Sequence, residues 1–206
     1  MNIDQAETSH DLHSVLGTKP LLSTESAADD CPWYAVRLFS AKLTLVTEYL
    51  EQLGLQYFIP MQFVDTETQD HHLRHQLRPV VRNLLFLKKT ISVPEVKKMV
   101  SEAPFKISIY RKDRVGFDYY EIPAKQMFEF QAMCNPEIAM REFVSEEQAK
   151  LKVGTPVYVK YGPLRGLSGR LVRSNKKYFL LKEIPGMGVM LKVARWCCKP
   201  AEVSKI

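Results

Sequence analysis

No apolar run in the chain approaches the roughly 18 residues that a membrane-spanning helix requires, so no membrane contact is expected. Cysteine is sparse too. The four present, Cys31, Cys134, Cys197 and Cys198, lack the paired spacing of a zinc site, and adjacent Cys197 and Cys198 would point to opposite faces of a strand. A reduced, intracellular chain with no metal and no cofactor is the expectation. The opening residues, MNIDQAETSHDLHSVL, carry acids where a secretory signal carries Lys or Arg, which adds a cytoplasmic location to it. Glycine numbers only nine in 206 residues, yet three of them fall inside KYGPLRGLSGRLVR, Lys160 to Arg173.

Negative charge is nearly missing from the C-terminal third. Residues 145–206 hold thirteen Lys/Arg against four Asp/Glu, residues 33–144 fifteen against thirteen, and residues 1–32 one against six. The segment charges are therefore +9, +2 and −5, which points to two domains of different character and to a polyanionic neighbour for the second. Residues 1–30 hold few large apolar side chains and read as a disordered acidic arm.

Order is expected from CPWYAVRLF, where Trp33, Ala35, Arg37 and Phe39 alternate with Tyr34, Val36 and Leu38 as on a strand. Ser40 then caps a helix carrying Leu43, Val46 and Leu50, and Gly54 stops it. LQYFIPMQFV, a polar loop at 65–77 and RPVVRNLLFLKK read as two strands joined by an exposed hairpin, on which Arg74, Arg78 and Arg82 cluster. Pro94 opens a second helix with Val96, Met99 and Val100 on one face; FKISIYR reads as a strand and PAKQMFEFQAMCN as a third helix. The order β-α-β-β-α-β fits a split βαβ antiparallel sheet over residues 31–139 with helices on one face. Residues 140–152 read as a charged linker. Over residues 153–206 the period changes to two, with five short strands, TPVYVKY, RLVR, KYFLLKE, VMLKVAR and WCCKPAEV, at the density of a small all-β barrel. The fold class is α+β.

Gly162, Gly166 and Gly169 are not a phosphate cradle, because no Gly-Lys-Ser/Thr and no helix follow them. They suit a tight loop with positive φ, stiffened by Pro163, and then a strand whose missing side chain at Gly169 lets backbones approach. The segment VGTPVYVKYGPLRGLSGRLVRSNKK resembles a KOW motif, the SH3-like barrel of ribosomal and transcription proteins. WYAVRLF through RPVVRNLLFLK resembles the NGN domain of the NusG-like transcription elongation and antitermination factors, and the order NGN, linker, single KOW is that family's order. The acidic leader, RNLLFL and IPAKQMFEF are most similar to its specialised UpxY-type paralogues, which act on exopolysaccharide operons.

The resemblance implies a monomeric factor whose NGN domain binds the clamp region of RNA polymerase and suppresses pausing or termination. Its apolar polymerase patch would fall on Leu84 and Phe86, with Leu85 and Leu87 in the core. The family's usual Pro-Gly or Pro-Asn before this strand is replaced by Arg82-Asn83. Family NGN domains lie near the non-template DNA strand, and Arg74, Arg78 and Arg82 are the candidate DNA contacts. In the KOW loop, Gly162, Pro163, Gly166 and Gly169 are structural, while Arg165 projects among basic neighbours toward a further partner. The resemblance leaves Rho and a ribosomal protein open for that role, and non-template DNA or nascent RNA as a further contact of the protein.

Other readings are weaker. His71, His72 and His75 suggest zinc by spacing, yet no fourth ligand is evident and a polar loop accounts for them. No His with an orienting acid accompanies Cys197 and Cys198, so an enzyme is not expected. A ribosome-associated or stand-alone RNA-binding KOW protein is the alternative function. RPVVRNLLFLK lacks the aromatic pattern with which an RRM stacks bases, which counts against one form of it.

Overall fold

The computed structural model describes residues 30–39, 43–67, 73–113, 116–138 and 140–201. The N-terminal arm, the Ser40 cap, and His71 and His72 lie outside the described residues. The fold is α+β, with antiparallel pairing in every ladder described.

The N-terminal half runs β1 (Trp33–Leu38), α1 (Leu43–Gln52), β2 (Tyr57–Phe58), β3 (Met61–Glu67), β4 (Leu73–Pro79), β5 (Leu84–Lys88), α2 (Val93–Glu102), β6 (Ile107–Ile109), β7 (Glu121–Ile122) and α3 (Ala124–Met133). Its main sheet has the order β2-β5-β1-β6, with β7 pairing on β1 as well. Alternation along β1 sends Tyr34, Val36 and Leu38 to one face, where they meet Val46 and Leu50 of α1 and Val96 and Met99 of α2. Ala35 faces the other way, toward Met127, Phe130 and Met133 of α3. Helices therefore cover both faces, not one as expected. The α2 start is closed by a capping box in which the Ser92 N–H and hydroxyl both donate to Glu95, with proline in the first turn.

Residues 65–67 and 73–77, expected in the polar loop, are strand. β3 and β4 pair from Met61–Pro79 to Glu67–Leu73 as a separate two-stranded ribbon, and LRHQLRP alternates as a strand does. The stretch 140–152 is likewise not a linker: it forms β8 (Arg141–Ser145) and α4 (Glu146–Leu151), the latter started by a capping box between Ser145 and Gln148. Five residues of strand and six of helix are too short to show a period in sequence.

Beyond α4 come β9 (Thr155–Val159), β10 (Ser168–Ser174), β11 (Lys177–Ile184), β12 (Met187–Lys192), a 3-10 turn (Arg195–Cys197) and β13 (Cys198–Pro200). They join β8 in a six-stranded sheet of order β13-β9-β10-β11-β12-β8. Asn175 and Lys176 both have positive φ and connect β10 to β11 as a two-residue hairpin whose twist matches its strands.

Gly169 shows how tightly these strands are stacked: a Cβ there would lie 2.5 Å from the Leu181 carbonyl oxygen, a backbone atom that cannot yield. Gly169→Ala is expected to lose about 3 kcal/mol in a urea unfolding curve, at the upper end of overpacking costs. Gly116→Ala, whose Cβ would make only an ordinary contact 3.6 Å from Asp113, serves as the neutral control.

Candidate functional site

Strand β5, LLFLK, is buried along both faces. Leu85 and Leu87 enter the core beneath α1 and α2, and Leu84 and Phe86 enter the second core with α3. The division of the four side chains between faces is the expected one, but the exposed patch is not present: Leu84 is 2% and Phe86 0% exposed. Phe86 meets Phe130 of α3 edge to face, with ring centroids 5.6 Å apart. Leu84 is covered from the other half of the chain by the β11–β12 turn. A Cβ on Gly186, which sits there at φ +94°, would come within 2.9 Å of both Leu84 methyl groups. The Gly186 N–H donates to the Glu146 carboxylate of α4 at 2.8 Å, which fixes the turn over the sheet. Half-buried Phe58, Val80, Val81 and Tyr110 pack against this cluster at its margin.

Helix α3 is gripped from its far side by a polar contact. Glu129, 2% exposed, accepts hydrogen bonds from the Ser168 N–H at 3.1 Å, from the Ser168 hydroxyl at 2.7 Å and from the Lys182 ammonium. Lys182 also donates to the Ser168 carbonyl at 3.0 Å, and Gln126 donates to the Glu183 carbonyl at 3.0 Å. These bonds satisfy a buried carboxylate and a buried ammonium together, the condition under which such a pair is tolerated. Sequence reasoning missed Glu129, because an acid between Phe128 and Phe130 reads as the solvent side of a helix. Beside it, Cys134 ends α3, and burial pushes its thiol well above the usual thiol range.

The arginines are spread out. Arg74 and Arg78 lie on one face of the β3–β4 ribbon, opposite Thr66 and Gln62. Four residues of strand put them about 13 Å apart, a spacing along a strand rather than a cluster. Arg78 donates to Gln76 at 2.8 Å. Arg82 is exposed in the turn before β5, where neither it nor Asn83 has positive φ, so the departure from the family pattern needs no special backbone. The opposite ribbon face carries Phe63, Leu77 and Leu73, with His75 stacked on Phe63 at 4.4 Å and bonded to Asp65 at 2.6 Å. Among the described residues no group of three or more His, Cys, Asp or Glu could hold a metal ion.

In the glycine loop, Gly162 and Gly166 have φ of +84° and +92°, and Gly169 provides the close approach described above. The Gly166 N–H donates to the Val159 carbonyl at 2.9 Å and the Arg165 N–H to the Gly162 carbonyl at 3.1 Å, leaving Pro163 and the Arg165 side chain exposed.

Residues 32–131 match the family described as NusG, transcription termination factor. That segment is similar to a NusG domain. The match runs from β1 into α3, including β5 and the ribbon. No curated protein matches the chain at a significant level. Among the described residues no helix is long and apolar enough to cross a membrane.

Removing one partner of the Glu129–Lys182 pair leaves the other charge buried and unpaired. Glu129→Ala is expected to cost about 3–5 kcal/mol in thermal or urea unfolding. Glu129→Leu combined with Lys182→Met should recover most of that loss. Alkylation of Cys134, followed by peptide mass spectrometry, should be slow in the wild type and in the double variant and faster in Glu129→Ala.

Proposed function

We propose that the protein is a transcription elongation or antitermination factor that binds the clamp region of RNA polymerase through the Leu84 side of its NusG-type domain and suppresses pausing or termination. The NusG match over the segment that contains β5 carries this reading. Leu84 with its apolar margin, Phe58, Val80, Val81 and Tyr110, is the surface offered to polymerase, and Phe86 supports it from beneath, held by Phe130. Because the β11–β12 turn occupies Leu84, polymerase must displace that turn, and the Glu146 and Glu129 contacts set how readily it moves. The six-stranded sheet is read as a KOW domain that recruits a further partner, and specific exopolysaccharide-type operons, as for UpxY-type paralogues, are the proposed targets.

Retention of core RNA polymerase on the tagged full-length protein tests this. Wild type should retain it, Glu146→Ala should retain several-fold more by freeing the turn, and Val81→Asp should retain less at unchanged melting temperature. No retention by any of the three, or co-purification of ribosomal subunits alone, would overturn the reading.

The ribbon face bearing Arg74 and Arg78 is proposed to follow the non-template strand, with Arg82 beside it. Neutralising Arg74 and Arg78 together should weaken crosslinking to that strand at low salt and reduce the log–log salt slope by about 0.7 per lost phosphate contact. A defect independent of salt would count against phosphate contact.

A further inference from the structure

The β9–β13 edge of the C-terminal sheet carries large aromatic side chains in the open. Trp196 is 73% exposed and Tyr161 47%, although tryptophan is among the more buried residue types on average. The backbone places them together. The Lys160 N–H donates to the Cys197 carbonyl at 2.8 Å, tying the end of β9 to the 3-10 turn, and the two rings stack, with centroids 6.3 Å apart and planes 29° from parallel. Beside them Tyr158, also exposed, pairs with Lys199 in the β9–β13 register.

One cation lies over these rings and others are carried by the same sheet. The Lys160 ammonium lies 5.5 Å from the Tyr161 ring centroid, Arg195 adjoins Trp196 in sequence, and Arg165 projects from the glycine loop. The Arg173 and Arg195 guanidinium groups both lie 5.8 Å from the Tyr178 ring centroid. Between Lys152 and Ala201 the only acidic residue is Glu183, and it is bonded to Arg170. An exposed, stacked aromatic pair on a basic segment with no free carboxylate matches a ligand that has both π faces and phosphates. Unpaired nucleic acid has both; a duplex hides its base faces, and an acidic peptide supplies only the charge.

We propose that Tyr161 and Trp196 form a stacking platform for unpaired bases of single-stranded RNA, with Lys160, Arg165, Arg195 and Lys199 on its phosphates. The choice of RNA over DNA rests on the transcription function proposed above, in which the emerging transcript is the unpaired strand at hand. Both rings are exposed while the β11–β12 turn covers Leu84, so RNA binding does not require the sheet to be displaced.

Fluorescence anisotropy of a labelled single-stranded RNA of about 12 nucleotides, within the span of small β domains, tests this on the full-length protein without polymerase. Wild type should bind the single strand more tightly than a duplex of the same sequence, and at least as tightly as the DNA strand. Trp196→Ala and Tyr161→Ala should each weaken binding about 5- to 100-fold, the range for losing one stacked base. Trp196→Phe should retain most of the affinity. Because both rings are exposed, the variants should melt with the wild type, so lost binding reports the platform and not the fold. Equal binding of duplex and single strand, tighter binding of the DNA strand, or alanine variants that bind as wild type would overturn the proposal. As the assay contains no polymerase, such a result would leave the polymerase-binding reading to its own test.

Discussion

The arrangement of the two halves depends on α3 being buried from two sides. Met127, Phe130 and Met133 belong to one apolar cluster that also contains Ala35, Leu84 and Phe86 of the NusG-type domain and Leu180, Met187 and Val189 of the C-terminal sheet. On the same helix, Glu129 is bound by Ser168 and Lys182. Neither half closes its core on this side without the other. Lifting the C-terminal sheet away would return apolar surface to water at about 25 cal/mol per Å² and separate a buried ion pair. Displacement is therefore favourable only when an incoming surface replaces the apolar contact, which makes the cover selective for a partner with an apolar patch of its own.

The grip on the turn is of a different kind. Gly186 covers Leu84 through van der Waals contact and is fixed by one hydrogen bond to Glu146, a residue that also pairs with Lys150 near the surface. Opening at the turn exposes one leucine, whereas opening at α3 exposes a whole apolar stripe. The turn is the cheaper place to begin, and it is also where the cover meets the sheet of the NusG-type domain.

Local signals in the sequence were read correctly where a residue's neighbours decide its role. Alternation in WYAVRL and RNLLFLK sorted side chains between the two faces of the sheet, and a glycine inside a strand marked the close approach at Gly169. What lay on each face was not legible. A strand buried on both sides reads as a continuous apolar run, and the groups that cover Leu84 and Phe86 come from Gly186 and Phe130, far along the chain. The hairpin was legible but the extent of its strands was not: LRHQLRP alternates, but arginine, histidine and glutamine resemble a loop when composition is weighed above period. β8 gains its identity only by pairing with Met187–Leu191, a contact that no local pattern announces.

Charge placement follows from the same packing. Lys182 and Arg170 are held by Glu129 and Glu183, so two cations of the C-terminal sheet are neutralised at or near the contact with α3. Lys160, Arg165, Arg173, Lys176, Lys177, Arg195 and Lys199 stay exposed, and between Lys152 and Ala201 no second acid opposes them. The docked sheet thus turns a neutralised side inward and an uncompensated positive side outward. A polyanion approaching from outside meets the full field of that surface without competing with the apolar contact that a protein partner would have to replace. The proposed polyanion contact and the proposed protein contact therefore draw on different residues of one small sheet.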